Sequence, residues 1–206
     1  MGFSSGLVVA AIISIWLLLL VNVVLTIAGY RYYIECEKKG VAELRDEQLP
    51  TVSIMVPAHN EAKVIVRTAE ALLRFDYPED KYEIIIINDN SSDDSAALLE
   101  EVKRKNPGRK FKVINTDAVT GGKGKSNALN IGYQQCTGEY IAIYDADNTP
   151  ERPALRRLAS TIVREDSLGA VIGKFRTRNR NATLLTRFIN IETLAFQWMA
   201  QAGRWK

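Results

Sequence analysis

IIIINDNSSDDS, residues Ile84–Ser95, is the stretch on which the fold turns. Four consecutive isoleucines leave no polar face, so the run predicts a buried strand, Tyr82–Ile87, the most apolar in the body of the chain. Directly after it come Asn88, Asp89 and Asn90, and Ser91–Ser95 carries turn and helix-cap chemistry. The helix that follows is ended by Pro107-Gly108.

Outward from this unit the same pattern repeats. Thr51–Val56 is a β-branched apolar run, and Asn60 can cap a helix over Glu61–Arg74 whose Val64, Ala71, Leu72 and Phe75 recur at helical spacing. Phe111–Ile114 predicts a strand and Lys123–Gln135 a helix, ended by Gly138. Glu139–Tyr144 predicts a strand, and Pro153 suits the first turn of a helix over Ala154–Arg164. Ala170–Phe175 reads as a further strand and Thr183–Gln201 as a long helix. Strand, crossover helix, strand, several times over, predicts an α/β fold with a mostly parallel sheet flanked by helices. Ligands of such sheets bind outside the carboxyl ends of the strands.

The amino-terminal part is of another kind. Leu7–Ala28 carries no charge, with only Ser14, Asn22 and Thr26 interrupting an aliphatic run. As a helix it reaches roughly 33 Å, enough to cross a hydrocarbon core of about 30 Å. A cleaved signal peptide would show a basic residue before a shorter apolar run, and here no Lys or Arg precedes Arg31. Arg31, Lys38 and Lys39 follow the run, which predicts an outside amino terminus and a cytoplasmic body in the cell membrane. The expected division is a transmembrane anchor over 1–33, a charged linker helix over 34–49 closed by Pro50, and a binding part over 50–206.

The 206 residues carry a formal net charge of +3, too little to imply nucleic acid. The basic cluster Lys103, Arg104, Lys105, Arg109, Lys110 and Lys112 reads as a solvated helix end and the turn after it. Cys36 and Cys136 are too few for a metal site or a disulfide framework, which fits a reducing cytoplasm.

Four clusters sit at the predicted strand ends, and together they suit a nucleoside diphosphate. Pro57-Ala58-His59-Asn60-Glu61 forms a turn that can face a base, with Glu61 as acceptor for hydroxyls. Asn60 and Glu61 serve equally as a cap and a first-turn acid. His59, the sole histidine, has no second metal ligand nearby and reads as a loop residue. Asp89 lies just past a buried strand, where accepting a hydrogen bond from a uracil N–H would explain a carboxylate.

Gly121-Gly122-Lys123-Gly124-Lys125-Ser126 opens a helix, but Val119 stands where a phosphate-loop motif needs glycine, and Asn127 breaks the dinucleotide fingerprint. Close backbone approach, a helix start and two lysines still suit phosphate, and a flexible basic loop is the other reading. Asp145-Ala146-Asp147 places two carboxylates one residue apart, which repel unless a cation lies beside them.

In this order and spacing, the clusters resemble the family 2 glycosyltransferases of GT-A (Rossmann-like) fold, over about Leu49 to Arg204. Ile84–Ser95, Gly124–Gly132 (GKSNALNIG) and Val171–Asn181 (VIGKFRTRNRN) are most similar to the bacterial poly-β-1,6-N-acetylglucosamine synthases of biofilms. The resemblance implies that Pro57, Ala58, Asn60 and Glu61 line the uridine and that Asp89 binds the uracil. It further implies that Lys125 lies near the diphosphate or the ribose side, that Asp145 contacts the nucleotide, and that Asp145 and Asp147 hold Mg²⁺ or Mn²⁺. Arg176, Arg178 and Arg180 match a basic stretch of the relatives, facing acceptor or inner leaflet, or else solvent from an edge strand.

The implied activity is that of a membrane-bound inverting enzyme. It would transfer a hexose or N-acetylhexosamine from a UDP-sugar to a growing polysaccharide or another glycan acceptor, with the bilayer as a further partner. The family's general base belongs to a Glu-Asp motif downstream, expected beyond Lys206, so this stretch is expected to be weak or inactive alone and its GT-A sheet truncated. The alternatives are a catalytically dead nucleotide-binding membrane protein and a truncated gene product.

Overall fold

The computed structural model describes residues 2–40, 42–174 and 181–194. Helix α1, Gly2–Lys39, is continuous, and its Ser5–Tyr32 portion is long and apolar enough to cross a membrane. Each of its three polar interruptions bonds back to the helix. Ser14 Oγ donates to Ala10 O at 2.8 Å, Asn22 Nδ2 to Leu18 O at 2.9 Å, and Thr26 Oγ1 to Asn22 O at 2.8 Å. A polar side chain bonded back to its own helix costs less in an apolar medium than an unbonded one.

The charged segment 34–49 is helical only as far as Lys39, which corrects the expected linker helix. Gly40 takes a left-handed φ of 63°, the usual way a helix stops, and only a single 3₁₀ turn follows at Asp46–Gln48. Glu43–Pro50 is instead strapped to the body. Arg156 donates to Leu44 O and Asp46 Oδ1, Leu44 N–H to Ser160 Oγ, Tyr77 to Pro50 O, and Lys81 Nζ to three carbonyls of the strap.

Residues Ala42–Val171 form one compact unit. Its sheet holds β1 (Val52–Ala58), β2 (Tyr82–Asn88), β3 (Phe111–Asn115) and β4 (Tyr140–Ile143) in the order β3-β2-β1-β4, every pair parallel. Helices α2 (Ile65–Leu73), α3 (Ser95–Lys105), α4 (Lys125–Tyr133) and α5 (Ala154–Arg164) supply the crossovers and flanks.

The strand period of two sorts residues onto two faces. On one, Val52, Ile54, Val56, Tyr82, Ile84, Ile86 and Phe111 pack with Ile65, Ala69, Leu72, Leu99 and Leu155 of α2, α3 and α5. On the other, Met55, Ile85 and Ile87 pack with Ala128 of α4. Burial on both faces accounts for the unbroken isoleucine run of β2, where all seven residues are buried.

Two predicted elements differ. Helix α2 begins at Ile65 rather than Glu61, and the amides of Glu61 and Ala62 in the turn before it donate to Ser95 Oγ and Asp93 Oδ2 of the neighbouring loop. The run Ala170–Lys174 forms no strand and joins no ladder with a described strand, and Phe175 lies outside the described residues. Outside the compact unit, α6 covers Leu184–Glu192, with Thr183 as its cap accepting from Thr186 N–H at 3.2 Å. The expected continuation to Gln201, the arginines 176, 178 and 180, and Lys206 lie outside the described residues.

Candidate functional site

Past the carboxyl ends of β1, β2 and β4 the chain leaves a cleft of about 440 Å³. Pro57 stands near the carboxyl end of β1, and Asp89 and Asp145 come just past the ends of β2 and β4. Pro57, Ala58, Glu61, Asp89, Lys125, Asp145 and Asp147 all line the cleft, together with His59, Gly122, Gly124, Ala128 and Ala146. Asn60 is not among the lining residues. It takes a left-handed φ of 56° and spends its side chain on the neighbouring loop, where its Oδ1 accepts from Ser92 N–H at 2.8 Å.

The loops after β1 and β2 are stitched together. Besides the Ser92 bond, Asn60 N–H donates to Ser91 Oγ at 2.9 Å, Glu61 N–H to Ser95 Oγ at 3.1 Å, and Ala62 N–H to Asp93 Oδ2 at 2.9 Å. Hydrogen bonds from the Ser95 hydroxyl and the Ala62 amide hold the Asp93 carboxyl below its usual range. Ser91, Asp93 and Ser95, expected as local turn and cap residues, therefore act across the loops as well.

Asp89 is only 5% exposed, yet it lines the cleft. Its Oδ1 accepts from Thr116 Oγ1 and from Gly122 N–H, each at 2.9 Å, so both bonds fall on one oxygen of the carboxylate. Gly121 is required for this approach: a Cβ there would collide with Thr116 Oγ1 and stand 2.5 Å from Asp89 Oδ1. The glycine loop thus holds a buried carboxylate in place. Gly124, at φ 92°, then starts α4, and Lys125 at the first position of that helix forms an ion pair with Asp145.

Asp145 and Asp147 stand on either side of Ala146, which is buried. The loop is anchored at three points. Tyr144 N–H donates to Met55 O at 3.0 Å, Asn148 N–H to Asp145 O at 3.1 Å, and Thr68 Oγ1 of α2 to Ala146 O at 2.7 Å. The two carboxylates offer hard oxygen donors, and no group of three or more His, Cys, Asp or Glu able to hold an ion occurs among the described residues. That donor set fits Mg²⁺ or Mn²⁺, which take one or two carboxylates and complete their sphere with water and substrate phosphate. The ammonium of Lys125 meanwhile offsets part of the charge of Asp145.

Thr68 and Thr116 escaped the sequence reading as supports of the cleft, and His59, expected as a plain loop residue, lines it. Thr68 had a signal, being a hydroxyl on the apolar stripe set by Val64, Ala71 and Leu72. Thr116 continues the inward alternation of Ile114, and His59 that of Met55 and Pro57.

A parallel α/β sheet with an acidic, glycine-edged cleft at its carboxyl ends has the plan of a ligand-binding α/β domain. The model of glycosyl transferase family 2 matches residues 53–204, and the chain belongs to that family. It is 46% identical over 194 residues to the probable glycosyltransferase YdaM of Bacillus subtilis (strain 168), covering 93% of this chain and 46% of that protein. It is 32% identical over 163 residues to a poly-beta-1,6-N-acetyl-D-glucosamine synthase of Staphylococcus epidermidis, covering 77% of this chain and 38% of the relative. The chain thus spans less than half the length of these relatives.

Among solved structures, the mannosyltransferase PcManGT of Pyrobaculum calidifontis, in complex with GDP-Man and Mn2+, superposes with a TM-score of 0.54 at 26% identity. That match covers 69% of this chain and 43% of the other. The 1–349 portion of S. aureus TarS in complex with UDP gives 0.50 at 22% identity, over 62% of this chain and 39% of that one, a likeness of fold.

Proposed function

We propose that this chain carries the donor and cation side of a membrane-anchored, inverting glycosyltransferase that uses a UDP-sugar, with UDP-N-acetylglucosamine as the favoured donor. The observation that carries this reading is the convergence of Asp89, Lys125, Asp145 and Asp147, from three separate segments of the chain, on one cleft. Pro57, Ala58 and Glu61 line the uridine side, with Asp89 as acceptor for the base N–H. Lys125 and the start of α4 face the diphosphate.

Asp145 and Asp147 are the residues that would hold Mg²⁺ or Mn²⁺, an ion that stabilises negative charge on a departing diphosphate when bound. The choice of N-acetylglucosamine is supported by the similarity to the poly-N-acetylglucosamine synthase, and a glycan acceptor by the family. The Ser5–Tyr32 helix and the basic residues after it support a bilayer-spanning anchor with a cytoplasmic body.

Calorimetric titration of UDP into the detergent-solubilised chain, with and without Mn²⁺, tests this. UDP is expected to bind in the presence of Mn²⁺, and Asp147→Ala to weaken that binding by roughly 100-fold while leaving the melting temperature within about 2 °C, as for an exposed residue. Binding of UDP that is indifferent to Mn²⁺ and to Asp147 would point to a nucleotide-binding protein without transferase chemistry. Preference for GDP in the same titration would remove the uracil role of Asp89.

A further inference from the structure

Strands β1 and β2 end in matching turns. Ala58 and Asn88 are partners in the parallel register, and one residue further on stand His59 and Asp89. Each of these precedes a left-handed asparagine, Asn60 at φ 56° and Asn90 at φ 51°. The His59 ring bridges the two turns: its Nδ1 lies 2.6 Å from the backbone carbonyl oxygen of Asp89, and its Nε2 lies 3.1 Å from Asn60 Nδ2.

The hydrogen positions follow from the partners. A carbonyl oxygen only accepts, so the proton of the pair sits on Nδ1. Asn60 Oδ1 is committed to Ser92 N–H, so the amide turns its NH₂ toward the ring and Nε2 receives it as a bare lone pair. One neutral tautomer satisfies every partner. A doubly protonated ring would set N–H against NH₂, and turning the Asn60 amide to relieve that would set its NH₂ against Ser92 N–H.

We infer that His59 is a positioning residue of the cleft: its neutral, Nδ1-protonated ring latches the β1 loop to the β2 loop and thereby fixes where Asp89 meets the nucleotide. The inference rests on the nucleotide reading above and adds to it. The latch grips the backbone carbonyl of Asp89 on one side, while Thr116 and Gly122 grip its carboxylate on the other. The residue is thus held at both ends, its carboxylate aimed and its main chain tied to the opposite loop.

Isosteric variants separate the two ends of the ring. In His59→Asn the side-chain amide nitrogen falls where Nδ1 stands and keeps the bond to Asp89, whereas His59→Gln reaches only toward Nε2 and His59→Ala keeps neither. All three are compared by UDP titration in Mn²⁺ on the full chain in detergent, alongside thermal melts that establish folding. UDP affinity of His59→Asn is expected within about twofold of wild type, and that of His59→Gln and His59→Ala about five- to tenfold weaker, the worth of one hydrogen bond.

Equal weakening in all three variants, or unchanged affinity in His59→Ala, would overturn the inference. The ring can also be read without nucleotide, because His59 is the sole histidine and gives a single pair of imidazole ¹⁵N signals. Protonated Nδ1 with bare Nε2 at neutral pH is expected, and the opposite tautomer contradicts the latch. If wild type binds no UDP under any condition, the nucleotide reading fails. The ring spectrum then still decides whether the latch exists.

Discussion

Strand β2 carries a carboxylate at each end, and the two are used in opposite ways. Glu83, at the amino end, is closed in. Its Oε1 accepts from Ser53 Oγ at 2.7 Å, from Thr137 N–H at 2.7 Å and from Thr137 Oγ1 at 2.8 Å, while Lys112 Nζ lies 3.1 Å from Oε2. Asp89, at the carboxyl end, is just as buried but has its two donors on one oxygen and lies on the wall of a cleft. Burial alone therefore does not separate an acid closed within the fold from one that lies on a cleft. Saturation does: a carboxylate with both oxygens bonded to side chains of its own fold has nothing left for a ligand.

The Glu83 cluster ties β1, β2, β3 and the α4–β4 turn together at one point. Burial by itself would push the Glu83 carboxyl up, but the hydrogen bonds from Ser53, Thr137 and Lys112 outweigh it and hold the group at about 2. Glu83→Ala leaves those donors facing one another in a buried site and is expected to cost about 3 kcal/mol in denaturant unfolding. The midpoint should fall with the slope unchanged.

The same group sharpens the contrast with pH. Its folded value is depressed from 4.5, so its stabilisation is present above about 4.5 and is lost as the pH falls toward about 2. At pH 7 the gap between wild type and Glu83→Gln is expected to be on the order of 2 kcal/mol, and to close across that acid window. A gap that stays constant with pH would mean that Glu83 acts through packing rather than charge.

At the other end of β2 the smallest effect is expected from the glycine loop. Gly121→Ala forces Thr116 and the Asp89 carboxylate to give way, and should weaken UDP by about tenfold, or 1.4 kcal/mol, with a smaller loss of stability. Equal affinity in the variant would show that Asp89 needs no fixed seat.

The contrast also explains what the sequence could and could not convey. The isoleucine run, the repeated strand–helix units and the acids after each strand are local patterns, and they were enough to lay out a parallel sheet and the clusters at its carboxyl ends. Glu83 was invisible inside an apolar run, because its partners Ser53, Lys112 and Thr137 come from three other segments. The late start of α2 was hidden in a related way: Asn60 has the chemistry of a cap, but its side chain is committed to Ser92 of another loop, and α2 starts at Ile65 without a side-chain cap.

Among the site residues, Asp89, Asp145 and Asp147 were legible as acids at strand ends. Thr68, which donates to Ala146 O, stands 78 residues away in sequence. The strand expected at Ala170–Phe175 shows the limit from the other side. A β-branched composition states a preference, and a ladder needs a partner strand that composition does not supply.

Thermal melts with and without UDP and Mn²⁺, run on wild type, Asp89→Ala and Glu83→Gln, put both ends of β2 to one test. Ligand should raise the melting temperature of wild type and, from a lower starting point, of Glu83→Gln by similar amounts, and leave Asp89→Ala nearly unmoved. A shift in Asp89→Ala as large as in wild type would contradict the assignment of the cleft to a uridine diphosphate.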